Sequence, residues 1–154
     1  MANKIIHAAG GVVVRSGARR RFAVVRRSKD GSWVLPRGKL KRNERPIVGA
    51  QREAVEETGT RVRVQEFLGA IIYRVRGQSK IVQFWWMDAA ARTTWEASKD
   101  IAAIKWLPLT KAVRKLKYPL EKLFLRSVVH RGLRRPKRGP GLRVGTKAKP
   151  RRRR

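Results

Sequence analysis

Three glutamates spaced three and four residues apart, Glu53, Glu56 and Glu57, constrain this chain more than any other feature of its sequence. Pro46 before them suits a first helical turn, where its missing N–H costs nothing. Gly59 after them suits the left-handed position just past a last turn. The spacing predicts a helix from Pro46 to about Thr58 with all three carboxylates on one stripe. Ile47, Ala50 and Ala54 fall on the opposite stripe, the side expected to lie on a sheet. Three like charges this close repel unless protons or cations compensate them. Two readings follow: an ordinary surface helix with solvated glutamates, or a helix that holds a cation. Oxygen donors without a neighbouring His or Cys match a hard ion, Mg²⁺ or Mn²⁺. The chain has no cysteine at all, which excludes a disulfide scaffold, a thiolate zinc site and a thiol nucleophile.

Around that helix the pattern alternates between strands and turns. Ala8–Arg15 and Phe22–Arg27 read as β-branched strands joined at Ser16-Gly17, and Trp33-Val34-Leu35 as a short extended piece stopped by Pro36. Arg37 to Arg45 reads as a polar, irregular loop. Val62–Val75 holds one or two strands with a bend at Gly69, Lys80–Asp88 another after a turn at Arg76-Gly77-Gln78, and Ile104–Leu107 a last one. Thr110–Leu116 and Leu120–Arg131 read as helices, the second with Leu120, Leu123, Phe124 and Val128 on one face. The expected fold class is α/β, a mixed sheet covered by helices on both faces.

The glutamates belong to a longer constellation. From Gly38 to Thr60 the chain has a glycine, five residues, Glu44, seven residues, then Arg52-Glu53-Ala54-Val55-Glu56-Glu57-Thr58-Gly59-Thr60. This resembles the signature of the Nudix hydrolase family, and Gly38, Glu44, Arg52, Glu53, Glu56, Glu57 and Gly59 all match it. By composition the chance of that match is on the order of 10⁻⁸ per window. Ala54 and Thr60 depart from the bulky apolar residues usual at their positions, a matter of packing. Trp33-Val34-Leu35-Pro36-Arg37-Gly38 resembles the lead-in of MutT-like and dinucleoside-polyphosphate-hydrolysing members. Ala8–Val12 and Lys105–Leu109 resemble the family's first and late strands.

The resemblance implies a Nudix-type α/β/α sandwich over residues 1–131. It also implies metal-dependent hydrolysis of a phosphoanhydride in a nucleoside diphosphate-linked substrate. Glu53, Glu56, Glu57 and the Gly38 carbonyl would hold Mg²⁺ or Mn²⁺. Arg52, partnered by Glu44, would orient the glutamates, and Glu56 is the favoured general base, with Glu96 or Asp100 on a later loop as the alternative. Arg37, Lys39 and Lys41 flank the box as candidate grips for substrate phosphates; the alternative for each is a solvated surface cation. Phe84, Trp85 and Trp86 are candidates either for a clamp on the leaving group or for core, and His7 and His130 receive no role. Metal would neutralise the phosphate oxygens and lower the pKa of a bound water.

Charge bears on partners. The 154 residues carry 40 Lys and Arg against ten acids, and thirteen of those cations fall from Arg126 onward with no acid among them. Residues 132–154 are expected to form a disordered basic tail, either simply solvated or in non-specific contact with RNA or another polyanion. The main partner implied is a small-molecule polyphosphate: a nucleoside triphosphate or dinucleoside polyphosphate is favoured, and a diphosphoinositol polyphosphate, or an RNA-associated module, is the alternative. The proline that marks ADP-ribose pyrophosphatases is replaced by Val75, and the coenzyme A signature is absent. Ile5–Val14 is apolar but β-branched and runs into Arg15, Arg19, Arg20 and Arg21, which reads as a strand rather than a signal peptide. No membrane partner and a cytoplasmic location are expected, and nothing in the sequence specifies an oligomeric state.

Overall fold

The apolar run behind Lys4 becomes the central strand of a seven-stranded mixed sheet in the computed structural model, which describes residues 4–132. This strand, β1 (Ile6–Arg15), is buried from Ala8 to Val14. Its alternate residues serve two cores: Ala8, Val12 and Val14 face one, and Ala9 and Val13 the other.

β1 pairs antiparallel with β2 (Arg21–Arg27) only at Val14↔Phe22 and Arg15↔Arg21. The two strands then part, and the next segment fills the gap. β3 (Trp33–Val34) pairs with β2, and β4 (Arg37–Lys39) pairs with β1 through Ala8↔Lys39, Ala9↔Gly38 and Gly10↔Arg37. The irregular loop expected over Arg37–Arg45 therefore begins as a strand. Three charged or flexible residues carry no strand propensity, and their pairing comes from the backbone groups β1 offers. Gly10 permits the approach, since a Cβ there would run into the Pro36 carbonyl.

The helix α1 (Pro46–Thr58) crosses over to β5 (Val62–Val75), which pairs antiparallel with β6 (Gln78–Ala89), and β6 lies parallel to β1. The two-residue turn at Arg76 and Gly77 has positive φ at both positions, the hairpin geometry that matches strand twist. β5 is one strand, kinked near Gly69 (φ 137°), where its register slips. β7 (Ile101–Leu107) runs along the other edge of β2.

Helices cover both faces, as expected. Ala50 and Ala54 of α1 pack with Ala9, Val13, Ala23, Trp85 and Met87. α2 (Leu109–Lys115) and α3 (Pro119–Gly132) pack on the opposite face through Ala112, Leu116, Leu125 and Val128. Ile47, assigned to the packed stripe of α1, is exposed, and burial there falls to Gly49, Ala50, Ala54 and Thr58. The α3 stripe also shifts. Leu120 and Leu123 are exposed, and the buried side runs through Glu121, Leu125, Val128 and Val129. An acid takes the place that apolar periodicity would give to leucine, because a buried arginine meets it there. Among the described residues no helix is long and apolar enough to cross a membrane. The basic tail, apart from Gly132, lies outside the described residues.

Candidate active site

α1 ends as its sequence demands. Gly59 takes φ 63°, and its N–H bonds the Val55 carbonyl at 2.9 Å. The acidic stripe of α1 looks toward the free edge of β4, which among the described residues pairs only with β1. Arg37 on that edge donates its N–H to Glu57 Oε1 at 2.9 Å. Gly38, its neighbour, lies so near Glu53 that any Cβ would overlap the carboxylate.

Arg52 organises the acids. It grips Glu44 with two bonds, Nε to Oε2 and Nη2 to Oε1, both 2.8 Å. Nη1 reaches Glu53 at 2.8 Å and Glu56 at 3.3 Å, and Nη2 reaches the Lys39 carbonyl at 3.3 Å. Arg52 and the Lys41 N–H together pull the Glu44 carboxyl down to a pKa of about 2. Glu44 is thus a permanent anion whose charge is already spent on Arg52.

The other acids differ by burial. Glu56 is half exposed, whereas Glu53 and Glu57 are largely enclosed. Desolvation pushes the Glu53 carboxyl upward and Glu57 to about 8, against the opposing pull of the Arg37 N–H. Two acids that resist ionisation, beside a third, form a site that a cation would relieve. The guanidinium of Arg52 bridges Glu53 and Glu56, and among the described residues the acids do not converge into a closed cage. An open set fits Mg²⁺ or Mn²⁺, which keep several waters and take the rest of their shell from substrate phosphates.

Glu53, Glu56, Glu57 and Gly38 line one cavity of about 600 Å³. Asp100 and Ser98 line it too, while Glu96 opens onto a different hollow. The loop before β7 is latched to α1 by Ser98 N–H to the Glu56 carbonyl (2.8 Å) and Thr94 N–H to the Gly59 carbonyl (3.0 Å). That latch brings Asp100, and not Glu96, to the wall of the acids' cavity.

A second cavity of about 740 Å³ adjoins the first on the α2/α3 face, and Arg27, Lys29, Arg37, Lys39 and Lys80 line both. Lys41, the third flanking cation, lines neither. Arg37 is nearly buried: its Nε meets Glu121 Oε1 at 3.2 Å, and the same oxygen accepts the Leu35 N–H at 3.3 Å. Among the described residues Glu121 Oε2 has no hydrogen-bond partner.

Glu121 and Lys80 escaped the sequence reading, since each is a solitary charge on an element with no motif. The aromatics divide by face. Trp85 packs with the α1 core, and Trp86 stacks edge-on against Phe22. Phe84 is fully buried, though it also forms part of the larger cavity's wall together with Tyr73 and Tyr118. Phe84 and Trp85 are core, and Trp86 is partly buried against it. Ala54 and Thr60, the two departures from the family pattern, are both fully buried, and Thr60 Oγ1 donates to the Thr58 carbonyl at 3.2 Å.

Comparison with known proteins identifies the family and the fold. The NUDIX domain family model matches residues 6–128. An 8-oxo-(d)GTP phosphatase of Mycolicibacterium smegmatis is 34% identical over 112 residues, 71% of this chain and 34% of that protein. A MutT-like protein of Streptomyces ambofaciens is 37% identical over 97 residues, 63% of this chain and 60% of that one. The chain thus spans about a third of the first relative's length and 60% of the second's, less than two thirds of either. Among solved structures, a C. elegans Ap4A hydrolase binary complex aligns with a TM-score of 0.75 at 24% identity, covering 83% of this chain and 97% of that one. A MutT protein from Methanosarcina mazei Go1 aligns at 0.71 and 19%, covering 86% and 98%. At these identities the structural likeness speaks for the fold.

Proposed function

Since the chain belongs to the Nudix hydrolase family, we propose that it hydrolyses a phosphoanhydride bond of a nucleoside polyphosphate with the help of a divalent ion. The observation that carries this reading is the junction of two unlike cavities. One is lined by Glu53, Glu56, Glu57 and Gly38, the other is rich in cations, and five cationic side chains belong to both. A phosphate chain laid across the junction would have metal on one side and ammonium and guanidinium groups on the other.

Glu53, Glu57 and the Gly38 carbonyl would hold Mg²⁺ or Mn²⁺, with Glu56 as a further ligand. Bound metal supplies charge neutralisation and a more acidic water. The chain's own residues do the rest. Arg52 keeps Glu53 and Glu56 oriented, and Glu44 keeps Arg52 oriented. Glu56, the most exposed acid of the stripe, is the base that takes a proton from the attacking water; Asp100 is the alternative across the same cavity. Arg37 and Lys39 steady the phosphates.

The relative named as an 8-oxo-(d)GTP phosphatase supports a nucleoside triphosphate as substrate. The cationic wall, which also includes Arg74 and Arg76, supports a second reading, a diphosphoinositol polyphosphate of denser charge. A phosphate-release screen with Mg²⁺ or Mn²⁺ separates them. It should span nucleoside triphosphates, dinucleoside polyphosphates, ADP-ribose, triphosphorylated RNA and inositol pyrophosphates. Glu57→Gln is expected to lower turnover at least ~10²-fold on the preferred substrate, because it neutralises a metal ligand. Undiminished release by that variant would remove Glu57 from its assigned role.

A further inference from the structure

Trp33, the first residue of β3, stands opposite Arg26 of β2, and Arg26 stands opposite Ala103 of β7. Residues paired across strands share a face, so Trp33 and Arg26 emerge side by side. Lys105, two residues beyond Ala103 and opposite Val24, emerges on the same face, the one covered by α2 and α3. The end of α2 is tied to β3 by the Lys117 N–H, which bonds the Trp33 carbonyl at 3.0 Å. That tie brings Lys115 over the indole.

Three cations therefore meet one half-buried ring. Lys115 Nζ lies 4.9 Å from its centre, Lys105 Nζ 5.4 Å and the Arg26 guanidinium 5.9 Å. Among the described residues Trp86 and Trp106 each carry a single cation. The segment Leu109 to Lys117 enlarges the group, for it holds Lys111, Arg114, Lys115 and Lys117 and no acid. Among the described residues none of these cationic side chains makes an ion pair, and none donates a hydrogen bond. Asp30 acts on Lys117 from farther off, and its Oδ1 is engaged by Ser32.

A cation against an indole gains about 0.5–1 kcal/mol at an exposed site, which holds it in place without neutralising it. The group is thus positive charge already arranged. A polyanion that binds there loses little side-chain entropy in ordering the cations and gains by releasing its own counter-ions. The shape of the surface narrows the choice of polyanion. Neither Trp33 nor any of these cations lines the two cavities of the candidate active site. A compact anion needs enclosure, whereas an extended one is held by charges spread along its chain. The half-exposed indole adds a platform for an unpaired base, which a duplex does not offer.

We propose that the face formed by β3, the adjoining ends of β2 and β7, and α2 is a docking surface for single-stranded nucleic acid, with Arg26, Lys105 and Lys115 on phosphates and Trp33 against a base. The surface belongs to the folded domain and acts apart from both the basic tail and the hydrolytic site.

The test uses the full chain and a fluorescein-labelled single-stranded RNA oligonucleotide, followed by anisotropy over a salt series. A patch variant, Arg26→Gln with Lys105→Gln and Lys115→Gln, is set beside a control of equal net charge, Arg19→Gln with Arg61→Gln and Arg92→Gln. The control residues are exposed, on the β1–β2 turn, after α1 and before β7. The patch variant should lose on the order of tenfold in affinity at physiological salt. Its plot of log affinity against log salt should flatten by about 2, at ~0.7 for each phosphate contact removed. The control should keep the parent's slope. Trp33→Leu should weaken RNA binding about fivefold or more while leaving retention on heparin, which has no bases, unchanged. Phosphate release from mononucleotides should be the same in the patch variant as in the parent.

Equal losses in the patch and control variants would reduce the effect to net charge and overturn the surface. So would an unaltered salt slope in the patch variant, or parallel falls in RNA and heparin binding in Trp33→Leu. Arg26 and Lys105 are exposed, so the patch variant should unfold at the parent's midpoint and decides the matter even if Trp33→Leu fails to fold.

Discussion

Glu57 is the residue in which burial and charge oppose each other most strongly. Its carboxyl titrates at an ordinary 4.5 when free and at about 8 in the fold, chiefly through desolvation. The folded chain holds that proton more tightly than the unfolded one. Metal-free stability is therefore full below pH 4.5 and declines as pH rises toward 8. Glu53 shifts in the same direction and adds to the decline. Lys80 acts in the opposite sense only above about pH 8. Urea unfolding of the metal-free chain at pH 5 and pH 8 should show the lower midpoint at pH 8, and Mn²⁺ should close part of the gap by taking the proton's place. A midpoint that climbs between those pH values would contradict the burial of Glu57. The box acids were legible because their spacing is a pattern. Glu121 was not, because a single acid on α3 gains meaning only from Arg37, which is remote in sequence and adjacent in space.

At the scale of the element, α1 was read almost to the residue. Proline and glycine state their backbone demands locally, and Gly59 meets one of them with φ 63°. Its side-chain position is also occupied, for a Cβ would collide with the Trp95 carbonyl. Gly59→Ala should destabilise the chain by more than about 1 kcal/mol in urea unfolding, combining strain with collision. Gly77→Ala, also at positive φ but with open space around it, should cost less. Equal costs would mean that the Trp95 contact does not matter. Gly59→Ala should also loosen the loop carrying Asp100, because Thr94 and Ser98 hang on the end of α1. β4 could not be read in this way. Its three residues form a strand only because β1 and β2 part and leave backbone groups to be satisfied. The stripe of α3 was misplaced by one position because periodicity counts leucines and cannot count a buried ion pair.

Over the whole molecule two groups of cations stand out. One faces the joined cavities, and the other, from Arg126 onward, is dense and without acids. We expect the tail to be an accessory to catalysis. A chain ending at Gly132 should keep phosphate release within about twofold while its retention on heparin or RNA falls, since polyanion affinity follows the number of neutralised charges. Loss of both together would make the tail part of the catalytic unit. By itself the sequence determined the acidic helix, its two ends, the alternation of the long strands and the family, all of which depend on residues near one another in the chain. Tertiary structure alone decided that Asp100 rather than Glu96 lines the cavity of the acids, that Arg37 is engaged by Glu121, and that Lys80 lines both cavities. Those facts depend on distances and burial between elements, and the energy of a charge depends on what surrounds it in space.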